Sequence, residues 1–375
     1  MRDLIVSATV LDEICIAKRQ EASNEYETLD YIPGRIIWGA FASMTGVQLG
    51  ETPPENFANL FYSDDVVFSN LYPSDDTKTL RSVPVPISAR TYKHAPGFIN
   101  DPSIIDYEPG GVIDCLLDDV PVEIKENPEY YIKYDAYYVG HHRTIRQEIN
   151  YIVRNERDIR RGTSREGMLF TRQNIPRGSV LLGFIRSNTD EGDKALEWLL
   201  NQTGLNKNKE IEVSIGRSPG RIRLQITSAT KGSILYVFDN ELEDIDDNTF
   251  TITCISPAII LDPFLRPMKY IPDEVIKKEL EDILKSCSLI RHFSATEIIQ
   301  GWNSAYRRPM EDEIAIARGS AFYYKYELSA GKTKNELVNA LNKLKRKGIG
   351  LRRAEGFGEI RVNDPFHIEL RSIQL

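Results

Sequence analysis

The chain has 375 residues, 41% apolar and 27% charged, enough to bury a full core and more in keeping with two domains than one. Its net charge of −8 lowers the expectation of nucleic-acid binding, so the distribution of charge carries more information than the sum. No apolar run is long enough to span a bilayer, and the first ten residues, MRDLIVSATV, read as a strand rather than a secretory signal.

In chain order, Leu4 to Ala17 alternates and reads as one long strand or the first arm of a hairpin. Lys18 to Asp30 is polar and reads as an exposed loop. Tyr31 to Thr45, YIPGRIIWGAFASMT, joins a Pro33-Gly34 turn to a helix whose apolar face is Ile37, Phe41 and Met44. The small Gly39 and Ala40 would let that helix lie close to a sheet. Arg35 falls in its first turn, beside backbone N–H groups that favour anions. Gly34 and Arg35 therefore form a candidate phosphate cradle, with a well-packed first helix as the plainer alternative. Residues 46–140 read as a loop-rich insertion into the first domain, with a tyrosine cluster at Tyr130, Tyr131, Tyr134, Tyr137 and Tyr138.

The next segment is basic. His141 to Arg177 holds nine arginines against four acids. Its bases are all arginine, the side chain suited to forked phosphate contacts and stacking on bases; the alternative is a solvated, charged surface helix. Met168 to Ile185 reads as two strands joined by the turn Ile175-Pro176-Arg177-Gly178. Lys194 to Gln202 reads as a short helix, and Asn206 to Lys209 as the linker, dividing the chain into domains 1–205 and 206–375. The second domain is expected to open on a hairpin through Ser218-Pro219-Gly220, flanked by Arg217 and Arg221. Strands near Ile234 and Thr251, a helix from Asp273 to Ser286, a strand at Ala321 to Leu328 and an amphipathic helix at Lys334 to Lys347 follow. The loop Gly348 to Gly358 leads to a last strand, Glu359 to Val362. Gly331 to Arg361 carries nine bases against three acids, whereas Asp239 to Asp247, DNELEDIDD, is acidic. An acidic chain with two basic islands suits a polyanion bound on limited surfaces.

Catalytic signatures are sparse. Cys15, Cys115, Cys254 and Cys287 are scattered, which argues against a cysteine-based zinc site and suggests a reducing, cytoplasmic setting. The loop GIGLRRAEGFGEIRV lacks the third glycine of a dinucleotide fingerprint and follows a helix instead of opening one. It offers Arg352, Arg353, Gly356, Phe357 and Gly358 as a phosphate- or RNA-contacting loop, or else a flexible connector. His141 and His142 beside Arg143 supply one candidate general acid/base for metal-independent RNA cleavage. No partner carboxylate or nucleophile can be placed beside them by spacing. The expectation is a protein without catalytic residues, cofactor or metal.

Four stretches together resemble the RAMP superfamily of CRISPR-associated proteins: Ile32-Pro33-Gly34 with its helix, RGTSREGMLF from Arg161 to Phe170, the strands about Ile175-Pro176-Arg177-Gly178, and RRAEGFG from Arg352 to Gly358. Length and layout are most similar to the Csx-ten-type, group-five subunit of type III-D effector complexes. The resemblance implies an α+β fold of tandem ferredoxin-like (RRM-like) domains. It implies binding of CRISPR RNA at Gly34, Arg35, Arg161, Arg165, Arg217, Arg221, Arg352, Arg353, Gly356, Phe357 and Gly358. It also implies a place beside a polymerase-like large subunit and backbone RAMP subunits, away from membranes. The cleaving backbone subunits carry an aspartate well ahead of the Ile-Pro-Gly turn; here that loop has only Asp30, two residues before Ile32. The guide-processing endoribonucleases usually show a histidine in the first helix, and Arg35 to Thr45 has none. Those two activities remain the alternatives.

Overall fold

The computed structural model of the chain describes residues 2–18, 25–47, 50, 52–75, 78–140, 143–157, 164–216, 220–229, 242–245, 248–303 and 306–370, without the side chains of 153–157, 164–170 and 281. It forms two compact units. The first comprises Met1–Arg81, Arg146–Thr230 and Gln300–Asp312, and the second Ser82–Ile145, Lys231–Ile299 and Glu313–Leu375.

The first unit contains, in order, β1 (Asp3–Val10), β2 (Glu25–Tyr26), α1 (Gly34–Met44), α2 (Glu55–Phe61), β3 (Val66–Phe68), β4 (Asn150–Arg157), β5 (Ser164–Asn174), β6 (Val180–Ser187), α3 (Asp190–Gln202), β7 (Glu210–Ile215) and β8 (Gly220–Ser228). Its main sheet runs β7-β8-β1-β6-β3, all antiparallel, with Ser7 facing Leu182 on one side and Gln225 on the other. Leaving out β7, the order is fourth, first, third, second around two crossover helices, which is the ferredoxin-like arrangement. Leu4, Val6, Ala8 and Val10 alternate onto the helix-covered face. There they meet Ile37 and Phe41 of α1 and Leu196 and Leu199 of α3. Phe41 is fully buried, and its burial alone contributes roughly 1.5–3 kcal/mol. The expected close approach at Gly39 is absent: a Cβ there would meet nothing within 4 Å.

The hairpin β7–β8, read from sequence as the start of a second domain, pairs with β1 and closes the first sheet. Its alternation announces a hairpin but cannot say which strand it will join. Helix α3 starts earlier than expected, because Thr189 caps it by accepting from the Gly192 N–H at 3.0 Å.

The second unit repeats the arrangement with β9 (Thr249–Cys254), α4 (Asp273–Leu280), β10 (Leu284–Phe293), β11 (Ala321–Leu328), α5 (Lys334–Lys347) and β12 (Ile360–Val362). The sheet order β10-β11-β9-β12 is again second, third, first, fourth, and every pairing is antiparallel. The fold is therefore α+β with two ferredoxin-like cores. Phe250, Ile252, Phe322, Tyr324 and Tyr326 pack under Leu337, Leu341 and Leu344 of α5. The capping box Thr333/Glu336 starts that helix. Helix α4 ends at Leu280, short of Ser286, because Leu284 onward is drawn into β10 by pairing with β11. The strand expected near Ile234 lies outside the described residues.

Residues Ser82–Ile145 belong to this second unit. They form two small sheets, one from Val83–Pro84, Tyr137–Val139 and Arg143–Ile145, the other from Ala89–Tyr92, Val112–Asp114 and Tyr131–Lys133. They pack with the β9–β12 core. Asp114 and Tyr138 reach His367 and Asp364 there, and Arg291 of β10 donates to the Leu116 carbonyl at 3.3 Å.

Candidate nucleic-acid interface

The turn before α1 is a closed structure. Gly34 is buried, and its N–H donates to Asn70 Oδ1 at 2.8 Å, so a side chain 36 residues away caps the helix. Asn70 is itself held, donating to Tyr72 OH at 3.1 Å and accepting from Arg81 through its carbonyl at 2.9 Å. Arg35 is half-buried and donates through Nη2 to the carbonyl of Gln300. At the turn expected to cradle a phosphate, the Gly34 N–H and the Arg35 Nη2 are thus bonded to protein groups.

The C-terminal loop is closed for a different reason. Gly348, Gly350, Gly356 and Gly358 all have positive φ. A Cβ on Gly348 would lie 2.7 Å from the Gly358 carbonyl oxygen, and one on Gly358 would collide with the Ile349 carbonyl. The glycines let two strands of the loop touch, and Ile349 N–H donates to Gly358 O at 2.9 Å. Arg352, itself left-handed at φ 57°, forks onto Glu355 at 2.8 and 2.6 Å and also pairs with Glu313. Its guanidinium lies 5.1 Å from the centre of the Phe357 ring. Burial works against the Arg352 cation, but the two carboxylates outweigh it and its pKa is raised. Phe357 is buried, and Arg353 starts a short 3-10 turn.

On the open face of the first sheet, Arg221 and Arg223 alternate outward from β8. Arg221 bonds Asp12 at 2.7 Å, and this hydrogen bond holds the Asp12 carboxyl below its ordinary value. Arg223 bonds Glu212 at 3.0 Å. Phe184, the aromatic that β6 places on the same face, is covered by the guanidinium groups of Arg186 at 4.5 Å and Arg81 at 5.2 Å. Base stacking of the usual RRM kind needs exposed rings on the sheet, and Phe184 is only 5% exposed. In the second unit the corresponding face carries Tyr323, Lys325 and Glu327 of β11, of which Lys325 and Glu327 are exposed.

The basic segment places Asn150–Arg157 and Ser164–Asn174 in strands, not in the surface helix read as its alternative. It forms a long two-stranded ribbon, β4–β5, paired from Asn150/Asn174 to Arg157/Ser164 with a bulge between Asn155 and Arg157. β2 joins its edge in parallel. Arg154 and Arg157 lie on β4 and Arg165 and Arg172 on β5. Arg161 lies outside the described residues, as do Arg217, His141 and His142.

A second arginine-bearing ribbon was not visible in sequence. Gln300–Asp312 packs with the first unit, and Trp302–Asn303 pairs with Arg308–Pro309. Its root is fixed by the Arg35–Gln300 bond, by Met310 N–H donating to Gly301 O at 2.9 Å and by Gln300 donating to Asp312 at 2.8 Å. The available signal was compositional: Gln300 to Pro309, QGWNSAYRRP, has two arginines, two aromatics and no acid.

One cluster of groups able to do chemistry is buried. Asp114, His367 and Thr253 form a chain, with Nδ1 at 2.9 Å from Asp114 and Nε2 at 2.7 Å from Thr253 Oγ1, and Ser88 donates to the other Asp114 oxygen. The order resembles a nucleophile relay, but all four are at most 1% exposed, so no substrate reaches the hydroxyl. Burial disfavours charge on His367, yet Asp114 outweighs it and the pKa is raised. Burial pushes the Cys115 thiol up to about 11 and those of Cys254 and Cys287 up to about 12, which keeps them protonated. Among the described residues no cluster of His, Cys, Asp and Glu could hold a metal, and no helix is long and apolar enough to cross a membrane.

No protein-family model matches the chain, and neither does any curated protein. Among solved structures, a chain of the type III-B Cmr-beta complex bound to cognate target RNA and AMPPnP is similar over 85% of this chain and 86% of that one, at 13% identity and a TM-score of 0.46. A chain of Cmr-beta bound to cognate target RNA is similar over 92% and 95%, at 12% identity and a TM-score of 0.45. Thermus thermophilus Cas6 in a product complex is similar over 96% and 100%, at 9% identity and a TM-score of 0.42. At these values the functional reading rests on the chain's own residues.

Proposed function

We propose that the chain is an RNA-binding, non-catalytic subunit of a type III CRISPR effector complex, of the RAMP superfamily. In this reading it holds the 5′ handle of the guide RNA and docks on the polymerase-like large subunit beside the backbone RAMP subunits. The observation that carries the reading is the β4–β5 ribbon. Arg154, Arg157 and Arg165 lie on its strands, and Arg160 and Arg161 fall in the sequence between them, against three acids from Asn150 to Asn174, Glu156, Asp158 and Glu166. The other sequence-derived arginines whose partners are described already have carboxylate or carbonyl partners at hand, so Arg161 and Arg165 are the proposed phosphate contacts.

The test is labelled CRISPR repeat RNA titrated with purified protein at several salt concentrations. Binding without cleavage is expected, with log affinity falling linearly against log salt. Arg161→Ala and Arg165→Ala should each reduce that slope by roughly one. An affinity independent of salt, or none, refutes the RNA assignment. A discrete RNA product refutes the non-catalytic part.

A further inference from the structure

The ribbon at Gln300–Asp312 exposes two rings. Trp302 is 58% exposed and Tyr306 61%. Arg308 places its guanidinium 5.4 Å from the centre of the Tyr306 ring. Asn303 Oδ1 accepts from the Tyr306 N–H at 3.1 Å and fixes the turn that presents that ring.

We propose that this ribbon is a second single-stranded RNA contact, in which Trp302 stacks one base and the Tyr306–Arg308 pair stacks another. The proposal rests on the RNA-binding reading above. Three observations favour RNA over a protein partner. Trp302 pairs with Pro309 and Asn303 with Arg308, so by strand alternation Trp302 and Arg308 lie on opposite faces of the ribbon. One flat protein surface cannot cover both, whereas successive bases can lie against each. The outer part of the ribbon, Gln300 to Pro309, has two bases and no acid and lacks the Leu, Ile, Val, Met and Phe that surround a protein anchor, while Met310, Glu311 and Asp312 lie at the root. A guanidinium laid on a ring also offers a stacking plane with phosphate donors at its edge. The root is held by Arg35, Gly301 and Met310, and a Cβ on Gly301 would press within 3.0 Å of Arg35 and 2.9 Å of Met310 Sδ. The rings therefore project from a seated base, which lowers the ordering cost of binding.

The experiment is a titration of the full chain with fluorescein-labelled, single-stranded oligouridine at fixed salt. Trp302→Ala and Tyr306→Ala should each weaken binding about five- to a hundredfold, the range that stacking of one base supports. The salt slope and the thermal midpoint should not change, since neither ring neutralises a phosphate or fills a core. Trp302→Phe and Tyr306→Phe should stay near the parent. Tryptophan fluorescence should be quenched by RNA in the parent and much less in Trp302→Phe, because Trp38 and Trp198 are half-buried. If the parent binds no RNA, the underlying RNA-binding reading fails. If the parent binds and both alanine variants bind equally well, this inference alone is overturned. Phe variants as weak as the Ala variants would refute stacking. Unchanged RNA affinity with lost association to purified partner subunits would reassign the ribbon to a protein interface.

Discussion

Arg352→Ala separates a structural arginine from an RNA ligand. The side chain is 20% exposed, between Glu355 at 19% and Glu313 at 33%. It spends its fork on Glu355 and its remaining edge on Glu313, and its plane lies over Phe357. Removing one partner of a fully buried ion pair costs about 3–5 kcal/mol because the survivors are left charged and unpaired. Water reaches part of Glu313, which reduces this to about 2–3 kcal/mol, and the lost ring contact adds about 0.5–1 kcal/mol. A loss of about 2–4 kcal/mol lowers the midpoint of a unit of this size by roughly 5–15 °C. Thermal unfolding of parent, Arg352→Ala and Arg352→Lys checks this, with the lysine variant in between because it keeps charge but loses the fork. RNA affinity measured well below the lower midpoint should change little. An alanine variant that melts with the parent yet loses RNA binding would refute the reasoning and restore Arg352 as an RNA contact.

Two further expectations follow from the same unit. The His367 pKa is raised by Asp114, so its stabilisation is complete below the unfolded value of about 6.5 and is lost as pH rises through the raised folded value; the midpoint difference between parent and His367→Gln should shrink as pH rises above about 6.5, and a constant difference would exclude a protonated histidine. Gly358→Ala should destabilise by about 2 kcal/mol or more in denaturant unfolding, since the new Cβ meets a backbone carbonyl at positive φ; a change under about 0.5 kcal/mol would show that the loop opens freely.

The arginines illustrate how far the sequence reaches toward the site. It marks Arg35, Arg221 and Arg352 as cations on turns near glycine, which is accurate local chemistry. Their counterparts are Gln300, Asp12 and Glu313, up to 265 residues away, and no local pattern announces them. The Trp302–Arg308 ribbon was missed because a two-residue strand pair around a turn has too few positions for a period to register.

What the sequence by itself determined is the set of elements with strong local codes. The Pro33-Gly34 turn, the amphipathic Lys334–Lys347 helix, the aromatic strand Ala321–Leu328 and the turn through Gly178 all form where their spacing and special residues require. Tertiary structure alone decided that β7–β8 completes the first sheet, that Ser82–Ile145 packs with the second unit, and that Leu284 leaves a helical run to become strand. The physical reason is one of range. Helical period, strand alternation and turn dihedrals are settled by neighbours a few residues apart. A strand edge, a sheet face or a buried charge is satisfied by whatever the folded chain brings to it, and that partner's identity is a property of the packing.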